Sequence, residues 1–218
     1  MFSNIQYYFW ASYRRKIIDK LSEKNKSLYT GVVLDIGGRD RGKFKKPKKK
    51  VENWIFADIE EKHNPDMVLD VMDMHAIANN SIDIISALEL FEHVSVPEKG
   101  IAECSRVLKN GGLLIISMPF MYGTHADPYD FQRWTKAKWE LVLNENNLNV
   151  LKIEEMGFFF TVLMDAIKNF LKKSHRIFRY ISYCFYPIFD IIASLDNINS
   201  KNPILKSYVG GYFIIAKK

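Results

Sequence analysis

The run "GVVLDIGGRD" (31–40) ends an apolar stretch on an acid, Asp35, and follows it with two glycines, Gly37 and Gly38. Without a Cβ, the backbone N–H groups of such a turn can approach a ligand closely. A second apolar stretch, "WIFAD", ends on Asp58, 23 residues after Asp35. In an open α/β sheet, ligands sit beyond the carboxyl ends of the strands, where the strand order reverses. An acid about 20 residues past the glycine turn is placed to accept hydrogen bonds from ribose hydroxyls. These residues suggest binding of a nucleoside-containing cofactor.

Two cofactor classes share that geometry. A dinucleotide turn reads G-x-G-x-x-G. Gly37 and Gly42 fit its first and third places, but Arg39 stands at the second, where backbone must meet the pyrophosphate. Asp35 would also set negative charge beside two phosphates. S-adenosylmethionine has no phosphate and carries an ammonium and a sulfonium, which an anionic Asp35 attracts in a low-dielectric pocket. The acids therefore favour a methyl donor over a nicotinamide dinucleotide. A purely structural role, with Asp35 bracing the turn and Asp58 ending a strand, stays open.

The elements that must position these residues read as a parallel sheet with helices on both faces. "VVLDI" (32–36), "WIFAD" (54–58), "MVLD" (67–70), "IDIISAL" (82–88) and "LLIIS" (113–117) are largely continuous apolar runs, as strands buried on both faces are. A helix is expected over 4–24, with Tyr7, Trp10, Ile17 and Leu21 at helical spacing. Another runs from Pro97 through Ile101, Cys104 and Leu108 and is stopped by Gly111 and Gly112. A third follows Thr135 as cap, with Trp139, Leu141 and Leu143 as its apolar side. Residues 148–156 and 208–218 are the last strand candidates. Residues 158–207, dense in Phe, Tyr and Ile with spaced cations, read as two or three amphipathic helices inserted between those strands.

In order and spacing, "VVLDIGG", "FADIE", "LDVMDMHAIANNSIDIISALELFEHV" and "IAECSRVLKNGGLLIISMP" resemble class I S-adenosylmethionine-dependent methyltransferases of the type 11 kind. The resemblance covers about residues 31–157 and returns at "GGYFIIAKK". It implies a Rossmann-like α/β fold with a seven-stranded, mostly parallel sheet of order 3-2-1-4-5-7-6, strand 7 antiparallel. It also implies a single domain over 1–218, with an N-terminal helical cap (1–28) and the helical insertion at 158–207. Asp35, Gly37 and Gly38 would face the methionine end of the cofactor, and Asp58 with Ile59 the ribose. Asp70, Val71 and Met72 would meet the adenine, and Leu88 and Glu89 would lie under the cofactor. Arg39 replaces the family's usual second glycine. "PFMYGTHADPYDFQRWT" (119–135) resembles the loop of methyltransferases found with bacterial polysaccharide assembly enzymes, which implies a sugar or glycan acceptor, nucleotide- or lipid-linked.

Methyl transfer from a sulfonium is an in-line displacement, in which a hydroxyl acceptor gains from a base that takes its proton. His125 is the expected base, oriented by Asp127 or Asp130, and His93 after the fourth strand is a second candidate. A loop lock between Asp130 and Arg133 is the bland alternative. Tyr122, Tyr129 and Trp134 could stack on a sugar or base, while His63 and His75 are expected on the surface. No His/Cys cluster has metal-ligand spacing, so no metal is expected.

The chain has 218 residues and a net charge of +6, and the segment 39–50 alone carries eight cations against one acid. Such a tract reads as a solvated loop or as an attractor for a phosphate-rich partner; nucleic acid is not the expected one. The two cysteines, Cys104 and Cys184, lie far apart, which with the absence of a signal-peptide pattern suggests a reducing, cytoplasmic setting. The insertion 158–207 reads as a lid that shapes the acceptor site, as a dimer interface, or as an interfacial helix set, since Lys168, Lys172, Lys173, Arg176 and Arg179 flank apolar faces and suggest peripheral contact with the inner membrane face through 158–190. A non-catalytic Rossmann-like module docking on a membrane or protein is the alternative.

Overall fold

The computed structural model describes residues 4–38, 42–125, 128–199 and 201–218. Its strands are β1 (Gly31–Ile36), β2 (Val51–Asp58), β3 (Met67–Val68), β4 (Ile82–Leu88), β5 (Leu108–Pro119), β6 (Asn149–Glu155) and β7 (Gly211–Lys217). They form one sheet of order β3-β2-β1-β4-β5-β7-β6. All pairings are parallel except those of β7, which runs antiparallel to β5 and β6. The order reverses beside β1, which lies between β2 and β4. The carboxyl ends of these three strands meet there.

The continuous apolar runs follow from two buried sheet faces. On one face Val33, Ile84, Ile115 and Phe213 pack under Ile18 and Leu21 of the helix α2 (Tyr13–Lys24). On the other, Leu34, Ile85, Leu114 and Ile214 pack under the helices α3 (Pro97–Val107) and α4 (Lys136–Glu145). Helices α5 (Phe159–Lys173), α6 (Arg176–Tyr183), α7 (Tyr186–Ile198) and the short α8 (Pro203–Lys206) lie between β6 and β7, one more than the sequence suggests.

Several boundaries differ from the sequence reading. The helix expected over 4–24 is two, α1 (Asn4–Trp10) and α2, because Ser12 adopts an extended backbone and caps α2 by accepting the Arg15 N–H. Trp10 is consequently exposed. The strand at 67–70 shrinks to two residues, since Asp70 turns back on itself and its carboxylate accepts the Met72 N–H. Helix α3 ends at Val107, before the glycines. Gly111 and Gly112 instead lie within β5, where a Cβ on Gly112 would stand 2.9 Å from the Asp83 carbonyl oxygen of β4. Close strand approach, not helix termination, requires that glycine. On α4 the buried side is Trp139, Val142 and Leu143, and Leu141 faces solvent.

Candidate active site

A cavity of about 470 Å³ opens at the carboxyl ends of β1, β2 and β4. All ten residues expected to hold the cofactor line it: Asp35, Gly37, Gly38, Asp58, Ile59, Asp70, Val71, Met72, Leu88 and Glu89. The turn after β1 is shaped for close approach. Gly37 has φ +69° and donates its N–H to the Ala57 carbonyl at 2.7 Å. A Cβ on Gly38 would lie 2.1 Å from the Asp35 carboxyl, so only glycine fits beside that acid.

Asp35 is buried at the cavity floor. It accepts a hydrogen bond from the Trp54 indole N–H at 3.0 Å, and the Lys46 ammonium lies 3.4 Å away. Burial pushes its carboxyl up to about 6, against the opposing pull of Lys46 and Trp54. Lys46 also lies over the Trp54 ring, 5.3 Å from its centroid. The part of the lysine-rich tract after Gly42 is thus a wall of the cavity, through Phe44 and Lys46, and is tied to α2 where the Lys43 N–H meets Asp19. Arg39 lies outside the described residues.

Asp58, at the end of β2, accepts the Glu60 N–H at 2.9 Å and faces the His63 imidazole at 3.1 Å. His63, expected on the surface, lines the cavity because the 3₁₀ turn Glu61–His63 folds it back onto the strand end. His75 is exposed, as expected.

Glu89 has a left-handed backbone, φ +56°, a conformation that disfavours residues with a Cβ. Its N–H reaches the Ser117 carbonyl and hydroxyl, and the Ser117 hydroxyl donates back to its carboxylate at 3.0 Å. The other carboxylate oxygen is bound by Arg14 of α2. Burial disfavours the Glu89 charge, and Arg14 more than offsets it, holding the carboxyl below its ordinary value. Arg14 also stacks on Tyr122, 4.4 Å from the ring centroid. Nothing in the sequence singled out Arg14, which arrives from 75 residues upstream.

His93, Pro128, Tyr129 and Phe131 also line the cavity. The His93 Nδ1 meets the Tyr129 carbonyl, which places a proton on Nδ1, and the Nε2 lies 3.7 Å from the buried Glu92 carboxyl. His125 stands one ring behind, 5.3 Å from His93 between centroids and nearly perpendicular. Asp130 is clamped by Arg133 and accepts the His125 backbone N–H at 2.8 Å, whereas the His125 Nδ1 is 3.5 Å away. Burial works against the Asp130 charge, yet Arg133 and that amide hold the carboxyl down at about 2. Asp130 therefore locks the loop through Arg133. Asp127 lies outside the described residues. Of the three aromatic candidates, only Tyr129 faces the cavity. Tyr122 serves Arg14, and Trp134 is buried in the core beside Trp139.

The expectation of no metal rested on linear spacing. Folding brings Glu92, His93 and His125 together, with one donor atom of each within 4.8 Å of the others. Glu92 is fully buried, and burial together with the Glu89 charge pushes its carboxyl well above the ordinary range. It escaped the sequence reading because adjacent Glu and His carry no spacing signal.

A family profile described as "Methyltransferase domain" matches residues 29–116. The match covers 88 of the 218 residues, a stretch similar to such a domain. The matched stretch runs from β1 through most of β5 and contains every strand end around the cavity. Methyltransferase ucsB of Acremonium sp is 42% identical over 50 residues, 23% of this chain and 17% of that relative, so the match spans a small part of the relative's length. Among solved structures, an S-adenosylmethionine-dependent methyltransferase from Archaeoglobus fulgidus aligns with a TM-score of 0.60 and 16% identity, covering 98% of each chain. Phosphoethanolamine N-methyltransferase 2 of Haemonchus contortus, in complex with S-adenosyl-L-methionine, aligns at 0.56 and 14% identity over 93% of this chain and 52% of that one. The [4+2]-cyclase SpnF aligns at 0.63 and 16% identity over 96% of this chain and 83% of that one. At these identities the likeness concerns the fold, and a cyclase among such structures illustrates that one fold hosts several reactions. The donor set of the cavity fits S-adenosylmethionine: a buried carboxyl at the β1 end for cations and an acid at the β2 end for a ribose.

Proposed function

We propose that the protein transfers a methyl group from S-adenosylmethionine to a hydroxyl of a small acceptor, a sugar or glycan intermediate. The observation that carries this reading is one cavity lined by all ten cofactor candidates, with an aromatic rim and a hydrogen-bonded imidazole on its open side. When bound, the cofactor supplies an electrophilic methyl group on a cationic sulfur.

The chain's own residues align, shield and deprotonate. Asp35 and the N–H groups of the glycine turn hold the methionine end, Asp58 holds the ribose, and the turn at Asp70, Val71 and Met72 borders the adenine. Glu89, fixed by Arg14 and Ser117, forms the floor beneath the reacting centre. The Nε2 of His93 takes the acceptor proton, with His125 behind it and Asp130 holding the loop that carries both His125 and the rim. Alignment of the two reactants and exclusion of water supply most of the acceleration expected for such a displacement. Tyr129 and Phe131, both exposed on the rim, offer the flat apolar faces on which sugar rings stack. A lipid-linked acceptor would bring the protein to the inner face of a membrane.

The test is a screen of nucleotide-linked and lipid-linked sugars with labelled methyl donor, using wild type and His93→Asn. Label transfer to a sugar hydroxyl, reduced at least a hundredfold in the variant, is the expected result. Cofactor binding without transfer to any hydroxylated acceptor would refute the acceptor class. Absence of cofactor binding would favour a docking module instead.

A further inference from the structure

We infer that helices α5–α8 present a docking face for an anionic lipid bilayer. Phe170, Ile177, Phe178, Ile181, Ile188 and Ile191 are each more than half exposed. On α6, Ile177, Phe178 and Ile181 fall within an arc of about 100°, with Ser182 buried on the inner side. An apolar surface of this density is uncommon on a monomer unless something covers it.

The charge pattern says what covers it. Residues 158–207 contain three acids and seven cations. Every one of the acids is spent inside the fold. Asp165 accepts the N–H groups of Tyr13 and Arg14 at 2.6 and 3.0 Å. Asp190 accepts the hydroxyls of Tyr8 and Tyr13 at 2.6 and 2.7 Å. Asp196 accepts the N–H groups of Phe158, Phe160 and Thr161 at the start of α5. Of the cations only Lys168 is buried, on the Ala11 carbonyl. Lys173 and Arg176 are exposed, and Arg179 is half-exposed beside them. The outward face thus offers isoleucine and phenylalanine among cations, with no exposed acid among its described residues.

That pattern fits lipid headgroups better than a second copy of the chain. A two-fold interface sets the same patch against itself. Here it would bring Arg176, Arg179 and Lys173 near their own symmetry mates with no carboxylate to answer them. A bilayer rich in anionic lipid answers the cations with phosphate and the apolar side chains with acyl chain, as interfacial amphipathic helices require. No helix among the described residues is long and apolar enough to cross a membrane, so the face lies on the bilayer. Asp165 ties the face to the amides of Tyr13 and Arg14, and Arg14 reaches Glu89 in the cavity wall. Docking would therefore set the cavity in a fixed relation to the lipid surface. Lipid binding by this face does not depend on methyl transfer.

The experiment is flotation of the full chain with vesicles of phosphatidylcholine alone or mixed with phosphatidylglycerol, at low and high salt. Two variants are compared, Arg176→Ala/Arg179→Ala and Phe178→Ser/Ile181→Ser, each checked for native cofactor binding and circular dichroism. Flotation only with anionic vesicles, weakened by salt, is expected. Removing the two arginines should lower partitioning about 30-fold, and removing the two apolar side chains should lower it at least as much. Equal flotation with both vesicle types, no flotation, or variants that float like wild type would overturn the inference. So would a wild-type dimer in light scattering that Phe178→Ser/Ile181→Ser converts to monomer, because the face would then be a self-interface.

Discussion

Asp35→Asn should make the protein more stable and worse at binding its cofactor. Burial lifts the Asp35 carboxyl from 3.8 to about 6. At about 1.4 kcal/mol per pH unit, keeping it ionised at pH 8 costs about 3 kcal/mol. The sign follows from linkage: an acid whose folded pKa is raised stabilises the fold fully below pH 3.8 and loses that contribution as pH rises through about 6. Asparagine carries no such charge, and its side-chain oxygen can still accept the Trp54 N–H. The Lys46 contact is lost, but at 3.4 Å and with a partly exposed lysine it contributes little. The net gain at pH 8 should be about 1–3 kcal/mol, which for a chain of this size raises Tm by roughly 2–10 °C. Near pH 4 the two proteins should melt together. Cofactor affinity should move the other way, falling about 10- to 100-fold with the charged hydrogen bond to the ammonium. Thermal scans across pH 4–8 and titration calorimetry read both effects. A variant less stable than wild type at pH 8, or one that binds the cofactor equally well, would refute the placement of a strained charge at the cavity floor.

Other residues make separate predictions. Gly38→Ala places a methyl 2.1 Å from the Asp35 carboxyl, so it should abolish cofactor binding in calorimetry while the far-ultraviolet circular dichroism stays native. Arg14→Ala leaves Glu89 buried without its cation and should lower unfolding free energy by about 3–5 kcal/mol, measured by urea denaturation; Glu89→Gln in the same background should recover part of that loss. Burial pulls the Lys168 amine down to about 7, so the fold gains stability from this group as pH rises from about 7 towards 10. Lys168→Met should flatten that rise in pH-dependent melting, and an unchanged slope would contradict it.

Much of the fold was legible because its signals are local. Each buried strand is a short apolar run, and Asp35, Asp58 and Glu89 are visible as polar residues ending such runs. A cofactor that binds across strand ends is held by residues that sequence order already marks, which is why every expected cofactor residue reached the cavity. The acceptor side was less legible. Asp130 is held by Arg133 and His125 stands behind His93, arrangements set by how the loop folds. Arg14, Lys46, Trp54, His63 and Glu92 reach the site only through tertiary packing from helix, loop and neighbouring strand. Helix ends misled for a physical reason: Gly111 and Gly112 look like a helix stop, but Gly111 takes a left-handed backbone inside β5 and Gly112 packs on the β4 backbone.

The central claim is that the acids at the tips of β1 and β2 cradle S-adenosylmethionine. The most direct test is titration calorimetry of that compound into wild type and Asp58→Ala, with NAD as the control. Binding by wild type at one site, loss of at least tenfold in affinity in the variant and no heat from NAD are predicted. Wild type that takes up no S-adenosylmethionine, or that binds it with unchanged affinity once Asp58 is removed, would contradict the assignment.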